Sequence, residues 1–321
     1  MSDSRGRTAD SPADIPAAGL KDTALRVKDE ISDDHTSLVA AGVSFFAFVA
    51  LIPGLAAAIS IYGLFTDPSQ VEGQLAQLLG NLPQEAQQLV TDQISRLASQ
   101  STGALSWGTA IAIMLALWTA SSGIANLMKA MNVAYDEEDG RGPIKRRGLA
   151  LGLSVGALLL VAAIAYAVST VGPWVNELTG SEAATVGAQI LIWLLAAFVF
   201  SASLAVLYRF GPDRDDPEWQ WVTLGSIVAV VLWLGASILF RFYVSNFGSY
   251  NETYGSLAAV VILLFWLYIT FFVIMLGAQI NSELEHQTAV DTTVGAEEPL
   301  GERGATMADT LGETTPGQRD G

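Results

Sequence analysis

Six long apolar runs alternate with polar segments along the chain. Each run lacks Asp, Glu and Lys and exceeds the 18 or so apolar residues that can cross a bilayer as a helix. The pattern therefore predicts an all-α, polytopic membrane protein with six transmembrane helices. The runs cover residues 38 to 65, 107 to 128, 148 to 171, 183 to 208, 221 to 245 and 257 to 280.

The first run is longer than a bilayer requires. Its 28 residues, 38 to 65, would extend about 42 Å as a helix, whereas the hydrocarbon core is about 30 Å thick. Pro53 lies near its middle, where a proline removes one helical hydrogen bond and clashes with the preceding turn. We therefore expect a kinked first span, with Pro53 as a structural residue.

Residues 66 to 106, between the first two runs, are too many for a turn and contain two apolar stripes at helical spacing. Pro83 lies between the stripes and suits the first turn of a second helix. The pattern predicts an amphipathic helical hairpin in the first outer loop. Two interpretations stay open: the hairpin packs on the outer ends of the spans, or it forms a lid over an opening between them.

The distribution of lysine and arginine predicts the orientation of the protein. Residues 1 to 37, the connections after the second and fourth runs, and the C-terminal tail together carry 14 of the 16 basic residues. Because loops rich in Lys and Arg remain in the cytoplasm, both termini are predicted to be cytoplasmic. The first 37 residues show no signal-peptide pattern, so we expect the first span to direct insertion into the inner (plasma) membrane.

The two ends of the chain contribute to the net charge of −16, because acids outnumber bases eight to five in residues 1–37 and seven to two after residue 290. Residues 1–19 and 287–321 are acidic, which predicts disordered tails on either side of a membrane domain at 20–286. Residues 20 to 31 are an exception, because apolar residues recur there at helical spacing beside three basic ones, and we expect a short juxtamembrane helix. The chain has no cysteine, which excludes disulfides and thiolate chemistry.

One apparent enzyme motif is better explained by helix packing. The segment "GLSVG" satisfies the pattern of a nucleophile elbow, but it lies inside an apolar span, where neither histidine can reach its serine. Gly148, Gly152 and Gly156 recur at every fourth position and are predicted to let two helices approach closely. We find no phosphate-binding loop, zinc motif or basic-aromatic patch for nucleic acid. The expectation is a protein without catalytic residues, cofactor, metal or nucleic-acid partner.

Polar residues recur at the cytoplasmic end of the second span and in the inner loops. Two interpretations account for them: a positively charged anchor at the cytoplasmic face, and a binding site for a phosphate or a lipid head group. The residues of this predicted cytoplasmic cluster are Asn126, Lys129, Asn132, Tyr135, Arg141 and Arg209.

A second candidate site lies at the outer connection between the fifth and sixth runs. The segment from 245 to 256 is rich in glycine and tyrosine, and Gly255 permits a tight turn. The simpler interpretation is a turn anchored in the membrane interface by its tyrosines. The functional interpretation is an outer vestibule formed with the hairpin and lined by Arg241, Tyr250, Glu252 and Tyr254.

Four separated segments resemble the YihY/virulence factor BrkB family, in the same order along the chain. They are "AAGVSFFAFVALIPGL" (40–55), "NVAY" (132–135), "YRFGPD" (208–213) and "YGSLAAVVILLFWLYITFFVIMLGAQINSELE" (254–285). The resemblance covers about residues 20 to 286 and leaves the two tails outside.

This resemblance implies a bacterial inner-membrane protein with six helices, in agreement with the six apolar runs. Members of the family were once labelled a ribonuclease, and others are associated with serum resistance or with envelope lipid handling. The resemblance places any such role on its motif positions, of which Pro53, Gly255 and Gly277 are expected to be structural. These positions are Pro53, Asn132, Tyr135, Arg209, Pro212, Tyr254, Gly255, Trp266, Gly277 and Asn281.

Two functions remain open at this point. One is a transporter or lipid-translocating protein, whose partners are the bilayer and a lipid or small molecule that the sequence does not identify. The other is a membrane scaffold or interaction protein that transports nothing. The predicted spans contain no Asp or Glu, which disfavours ion-driven pumping. A polar groove reaching into the membrane would favour the first function, and a close-packed apolar interior would favour the second.

Overall fold

The computed structural model of the chain describes residues 4–62, 107–246 and 256–314. Within these ranges the all-α prediction is confirmed, and the one β-contact is an isolated bridge between Pro217 and Thr293. The predicted hairpin at 66 to 106 lies outside the described residues. The helices are α1 (Ala17–Asp33), α2 (Thr36–Tyr62), α3 (Trp107–Ala134), α4 (Pro143–Thr179), α5 (Glu182–Phe210), α6 (Trp219–Asn246), α7 (Ser256–Glu285) and α8 (Thr306–Asp309).

Several of these helices suit a bilayer. Among the described residues, α4 to α7 are long and apolar enough to cross a membrane, and the bent pair α1 and α2 makes a fifth if it counts as one broken span. The outer faces expose large apolar side chains: Phe198 is 70% exposed and Leu239 is 71% exposed. Because exposed apolar surface of this extent is stable only against hydrocarbon, these helices form the membrane-embedded part of the protein.

The chain bends sharply between α1 and α2. The two helices are bent by 62° relative to each other, and His35 at the break adopts the left-handed region with a φ of 50°. α2 then continues as one helix past Pro53, where the predicted kink stays a prediction.

The six long helices pack largely in chain order. Each of α2 to α7 contacts the next described helix, and α7 closes the arrangement by packing against α2 and α3. The core lies where α2, α3, α5, α6 and α7 meet, and it contains Val43, Met131, Tyr208, Val222 and Met275. α7 is therefore the helix that holds the two ends of the chain together.

Gly225 of α6 and Gly277 of α7 mark a close approach of two helices. A Cβ at Gly277 would lie 2.8 Å from both the Gly225 carbonyl oxygen and the Ala229 Cβ, so the crossing requires glycine. Asn281 completes the crossing, because its Oδ1 accepts a hydrogen bond from Gly225 N at 2.7 Å and its Nδ2 donates to Val222 O at 3.1 Å. The motif residues Gly277 and Asn281 thus serve helix packing.

The predicted glycine stripe has no such role among the described residues. Gly148, Gly152 and Gly156 are exposed on α4, and a Cβ at each would meet no atom within 4 Å. A spacing of four residues shows that side chains share one helix face, but it does not show which face meets a neighbouring helix. The close approach lies instead at Gly225 and Gly277, which come from two different helices.

Both terminal segments fold onto one end of the bundle. We call this the charged end, and it comprises residues 4–34, 135–142, 211–218 and 283–314. Disordered tails are predicted at 1–19 and 287–321. The structure describes residues 4–19 and 287–314 of these ranges, and they pack onto this end. Ala9 and Ile15 pack with Trp221 and Leu284 in a small apolar cluster. Arg303 is 4% exposed and donates hydrogen bonds to the carbonyls of Ala289, Val290, Glu298 and Ala308.

The juxtamembrane helix expected at residues 20 to 31 is present within α1, and its buried face combines Val27 of the predicted stripe with polar residues. Asp22 and Thr23 are buried, whereas Leu20 and Ala24 of the predicted apolar stripe are exposed. Asp22 forms an ion pair with the buried Arg5 of the N-terminal segment. Paired charges, and not apolar contacts alone, hold this helix to the bundle.

The most deeply buried charges at this end are Arg214 and Glu285. Their side chains are 0% exposed, and the Arg214 Nη2 lies 2.6 Å from the Glu285 Oε2. The second Glu285 oxygen accepts from Arg214 Nη1 at 3.2 Å, and the Thr292 hydroxyl donates to Oε2 at 3.0 Å. This pair ties the loop after α5 to the end of α7 and to the C-terminal segment.

The glycine crossing predicts the effect of two alanine substitutions. We expect Gly277→Ala to lower the free energy of unfolding by about 1–3 kcal/mol, because the added methyl overpacks the contact between α6 and α7. Gly152→Ala is the matched control, since the same change on an exposed helix face meets no neighbour and should leave stability unchanged or raise it by up to about 1 kcal/mol. Thermal unfolding of both variants in detergent micelles measures their stabilities relative to the wild type. Equal stability changes in the two variants would contradict a close contact between α6 and α7 at Gly277.

The buried ion pair predicts strong coupling between its partners. Glu285→Gln leaves the Arg214 charge buried without its counterion, and we expect a loss of about 3–5 kcal/mol. The double variant Arg214→Met, Glu285→Gln should be more stable than the single variant, because it buries no unpaired charge. A double-mutant cycle on unfolding free energies measures the coupling. A coupling near zero would show that the pair does not hold the charged end.

Candidate functional site at the charged end

The predicted cytoplasmic cluster does not form one site in the structure. It divides into a part buried under the loops of the charged end and a part that lines an exposed groove between α3 and α4. The buried part contains Asn132, Tyr135, Arg141 and Arg209, and the groove contains Asn126 and Lys129.

Asn132 and Arg141 hold the loop that follows α5. The Asn132 Oδ1 accepts a hydrogen bond from Asp213 N at 2.7 Å. The Arg141 Nη2 donates to Gly211 O at 2.8 Å, and its Nε lies 3.0 Å from Asp139 Oδ1 and 3.4 Å from Asp213 Oδ1. These contacts direct the guanidinium to the protein's own backbone and carboxylates, so this part of the cluster anchors a loop.

Tyr135 and Arg209 extend the buried part. Tyr135 is fully buried with the Arg214 guanidinium 5.2 Å from its ring centre, and burial raises the pKa of its hydroxyl, which stays neutral. The Arg209 guanidinium lies 4.5 Å over the Trp219 ring, and its Nη2 is 3.6 Å from Asp216 Oδ2. Cationic and aromatic groups therefore pack together around the connection between α5 and α6.

The groove between α3 and α4 has a volume of about 660 Å³. Its α3 residues recur at spacings of three and four, which places them on one helix face. Trp118 is 55% exposed and Ile144 is 89% exposed, so the groove opens outward from the bundle. Its lining consists of Trp118, Ser122, Ala125, Asn126 and Lys129 from α3 and Pro143, Ile144, Arg146, Arg147, Gly148 and Leu151 from α4.

Three cations give the groove a positive charge: Lys129, Arg146 and Arg147. The Arg147 guanidinium lies 4.3 Å from the Trp118 ring centre and donates to the Trp118 carbonyl. Its Nε is buried and has no hydrogen-bond acceptor among the described residues. Arg146 Nη1 lies 3.6 Å from Asp139 Oδ2. The groove thus keeps donors that the protein itself does not satisfy.

The helix α4 adds to this positive charge. It begins beside the groove, and its N-cap residue, Gly142, provides no side-chain hydrogen bond to the first turn. The free backbone N–H groups and the helix dipole favour an anion at such a terminus. Trp118, Ile144 and Leu151 form an apolar wall in the same groove. This combination suits a ligand with an anionic head and an apolar chain.

Of the four residues predicted to line the outer vestibule, the structure describes only Arg241. Arg241 is exposed on α6, with Phe242 and Tyr243 beside it also exposed. Tyr250, Glu252, Tyr254 and Gly255 lie outside the described residues, and the vestibule therefore stays a prediction.

The sequence analysis missed an acidic cluster at the break between α1 and α2. One carboxylate oxygen from each of Glu30, Asp34 and Asp136 lies within 4.8 Å of the other two. Glu30 and Asp34 are one helical turn apart, and Asp136 follows α3 in a left-handed conformation with a φ of 52°. The signal in the sequence is the pair of acidic segments "DEISDD" and "DEED", but each alone is typical of a solvated helix end.

Burial and mutual repulsion raise the pKa values of these acids. Burial, and then the negative charges of Asp34 and Asp136, raise the pKa of Glu30 to about 7. Burial also raises the pKa of Asp34 to about 6, although a hydrogen bond from Gln279 opposes that change. Asp136 is exposed by surface area, but the part of its carboxyl that is covered and the nearby Glu283 still raise its pKa. The three carboxylates therefore lack sufficient positive charge around them.

Comparison with known proteins finds relatives in several bacteria. The chain is 28% identical over 254 residues to the ribonuclease-like protein YfkH of Bacillus subtilis, covering 76% of this chain and 88% of the relative. It is 24% identical over 271 residues to the UPF0761 membrane protein NTHI0384 of Haemophilus influenzae, covering 83% and 96%. It is 25% identical over 279 residues to a UPF0761 membrane protein of Verminephrobacter eiseniae, covering 84% of this chain and only 64% of the relative.

No solved structure matches this chain. A family model does, and it covers the membrane-embedded helices and about half of the charged end. The match extends over residues 27–300 and includes the glycine crossing, the Arg214–Glu285 pair and the groove. The chain therefore belongs to the family described as Virulence factor BrkB.

Proposed function

We propose that this protein binds an anionic lipid and moves it within or across the inner membrane. The observation that carries the proposal is the groove between α3 and α4, where Lys129, Arg146 and Arg147 lie beside an apolar wall. A lipid has the same division, with a charged phosphate head and apolar chains. The substrate class follows from this chemistry: an amphiphile with a negatively charged head group.

The proposal includes the arrangement in the membrane. Six spans, with the long first span kinked at Pro53, place the charged end in the cytoplasm together with both termini. Support comes from the basic residues, since 14 of 16 belong to segments on this side. The groove then lies at the depth of the inner-leaflet head groups, where cations attract anionic lipids by about 1 kcal/mol each.

The groove residues have separate roles in this proposal. Lys129 and Arg146 are the cations that meet the head group, because their own partners are 3.4 Å and 3.6 Å away and pair with them only weakly. Arg147 is held by Trp118, so it offers its unpaired Nε from a fixed position. Trp118, Ile144 and Leu151 contact the first part of the acyl chains.

This role requires no catalysis. The two histidines have local contacts: His35 Nδ1 is 2.9 Å from Ser32 O, and His286 Nδ1 is 3.6 Å from Glu283 Oε1. The ribonuclease-like name belongs to the Bacillus subtilis relative, and we do not extend that activity to this chain.

A non-transporting scaffold is the second candidate. The observation in its favour is the exposed stripe of Gly148, Gly152 and Gly156, because glycines on a lipid-facing surface allow another helix to approach closely. Movement of lipid between leaflets separates the two candidates, since a scaffold has no need of it.

The proposal predicts that charge removal in the groove changes the lipids that the protein retains. We expect the double variant Lys129→Gln, Arg146→Gln to hold anionic over zwitterionic lipids about fivefold less selectively, which corresponds to about 1 kcal/mol. Mass spectrometry of lipids bound to the protein, purified from mixed vesicles in mild detergent, measures the ratio. Lys145→Gln is the matched control, because Lys145 is exposed on α4 beside Arg146 but does not line the groove.

Two results would overturn parts of the proposal. An equal loss in Lys145→Gln would assign the selectivity to general surface charge and not to the groove. A labelled anionic lipid that changes leaflet no faster in vesicles with the wild-type protein than in empty vesicles would remove the transport role. Retention without movement would then favour the scaffold.

A further inference from the structure

The acidic cluster of Glu30, Asp34 and Asp136 lies apart from the groove and shares no residue with it. Its three acids come from two parts of the chain that are far apart in sequence. Glu30 and Asp34 belong to the end of α1 and the break that follows it, and Asp136 belongs to the loop after α3. Like charges at this spacing repel one another, so their convergence at a helix break calls for a compensating group.

The protein itself does not neutralise the cluster. None of the three acids has a salt-bridge partner among the described residues, whereas the nearby Glu283 is paired with Arg26. Asp33 and Glu283 add further negative charge around the cluster, and His286 faces Asp136 as the nearby titratable base. The net charge around the three carboxylates is therefore negative.

A buried side chain with an unpaired oxygen meets the cluster. Gln279 of α7 is 0% exposed, and its Nε2 donates to Asp34 Oδ2 at 2.9 Å and to Thr36 Oγ1 at 2.8 Å. Its Oε1 is buried and accepts no hydrogen bond among the described residues. The Oε1 of Glu283, which is 1% exposed, is also without a hydrogen bond. A buried oxygen without a donor is unfavourable unless another positive group meets it.

The spacing and the atom type indicate the class of that group. Ca²⁺ and Mg²⁺ prefer carboxylate and amide oxygens, and soft metals prefer ligands that this cluster lacks. Two oxygens on opposite sides of Ca²⁺ are about 4.6–5.2 Å apart, and those on opposite sides of Mg²⁺ are about 4.0–4.2 Å apart. The three oxygens lie within 4.8 Å of one another, which is compatible with either cation.

We propose that Glu30, Asp34 and Asp136 bind a divalent cation of the Ca²⁺ or Mg²⁺ type. The Gln279 amide, which now donates from Nε2 to Asp34, turns over when the cation binds, so that its carbonyl oxygen becomes a further ligand. The cation joins α1 to the end of α3 and, through Gln279, to α7. It therefore holds the bend of 62° between α1 and α2 in one arrangement. The occupied site stabilises the charged end, and removal of the cation loosens α1.

The test uses the purified full-length protein in detergent after treatment with EDTA. CaCl2 and MgCl2 are added separately, and thermal unfolding together with isothermal titration calorimetry reports binding. For the wild type we expect a rise in Tm that grows with cation concentration, as ligand linkage requires, and a saturable heat of binding. For Asp136→Asn we expect at least about tenfold weaker binding, because the ligand loses its charge.

Asp33→Asn is the matched control, since it removes one exposed acid on the same helix end but no ligand of the cluster. Asparagine tolerates the left-handed backbone at position 136, so Asp136→Asn should fold. If Asp136→Asn does not fold, Asp34→Asn provides a second variant. The proposal is overturned if the wild type shows neither a Tm shift nor heat with either cation. It is also overturned if Asp33→Asn loses as much affinity as the variants of the cluster.

Discussion

The charged end depends on the buried pair of Arg214 and Glu285. Neither side chain has any exposed surface, so each charge requires the other to offset its loss of hydration. Arg214 belongs to the loop after α5, Glu285 ends α7, and Thr292 adds a hydrogen bond from the C-terminal segment. Since the pair is stable only when these three parts are in place together, it couples the last helix to two loops.

Other contacts at the charged end hold the segments that carry this pair. Asn132 and Arg141 hold the loop of Arg214 from the side of α3, while Arg303 draws the C-terminal segment into one compact turn. The result is a polar cap on an apolar bundle. α3 carries both candidate sites at its C-terminal end, with Lys129 in the cationic groove and Asp136 in the acidic cluster. Groups of opposite charge thus occur close together along the chain near this end of α3, in two sites that share no residue.

The family resemblance identified motif positions along the chain, but it did not give the role of any of them. Gly277 and Asn281 belong to the long motif, and only the structure shows that they form the crossing with Gly225. The groove was predictable in part, because Asn126 and Lys129 share a helix face, but Trp118 and Arg147 join them only through the packing of α3 on α4. The acidic cluster was not predictable, since its members converge from segments about a hundred residues apart.

The sequence by itself determined the helical class and the position of each apolar helix, because hydrophobic runs and helix periodicity are local properties. It also determined the family, through motifs that keep their order along the chain. Only the tertiary structure decided which faces meet. The stripe of Gly148, Gly152 and Gly156 stays exposed, and residues 4–19 and 287–314 fold although their composition is typical of disorder. The physical reason is that burial and ion pairing depend on partners distant in the chain, which local patterns do not specify.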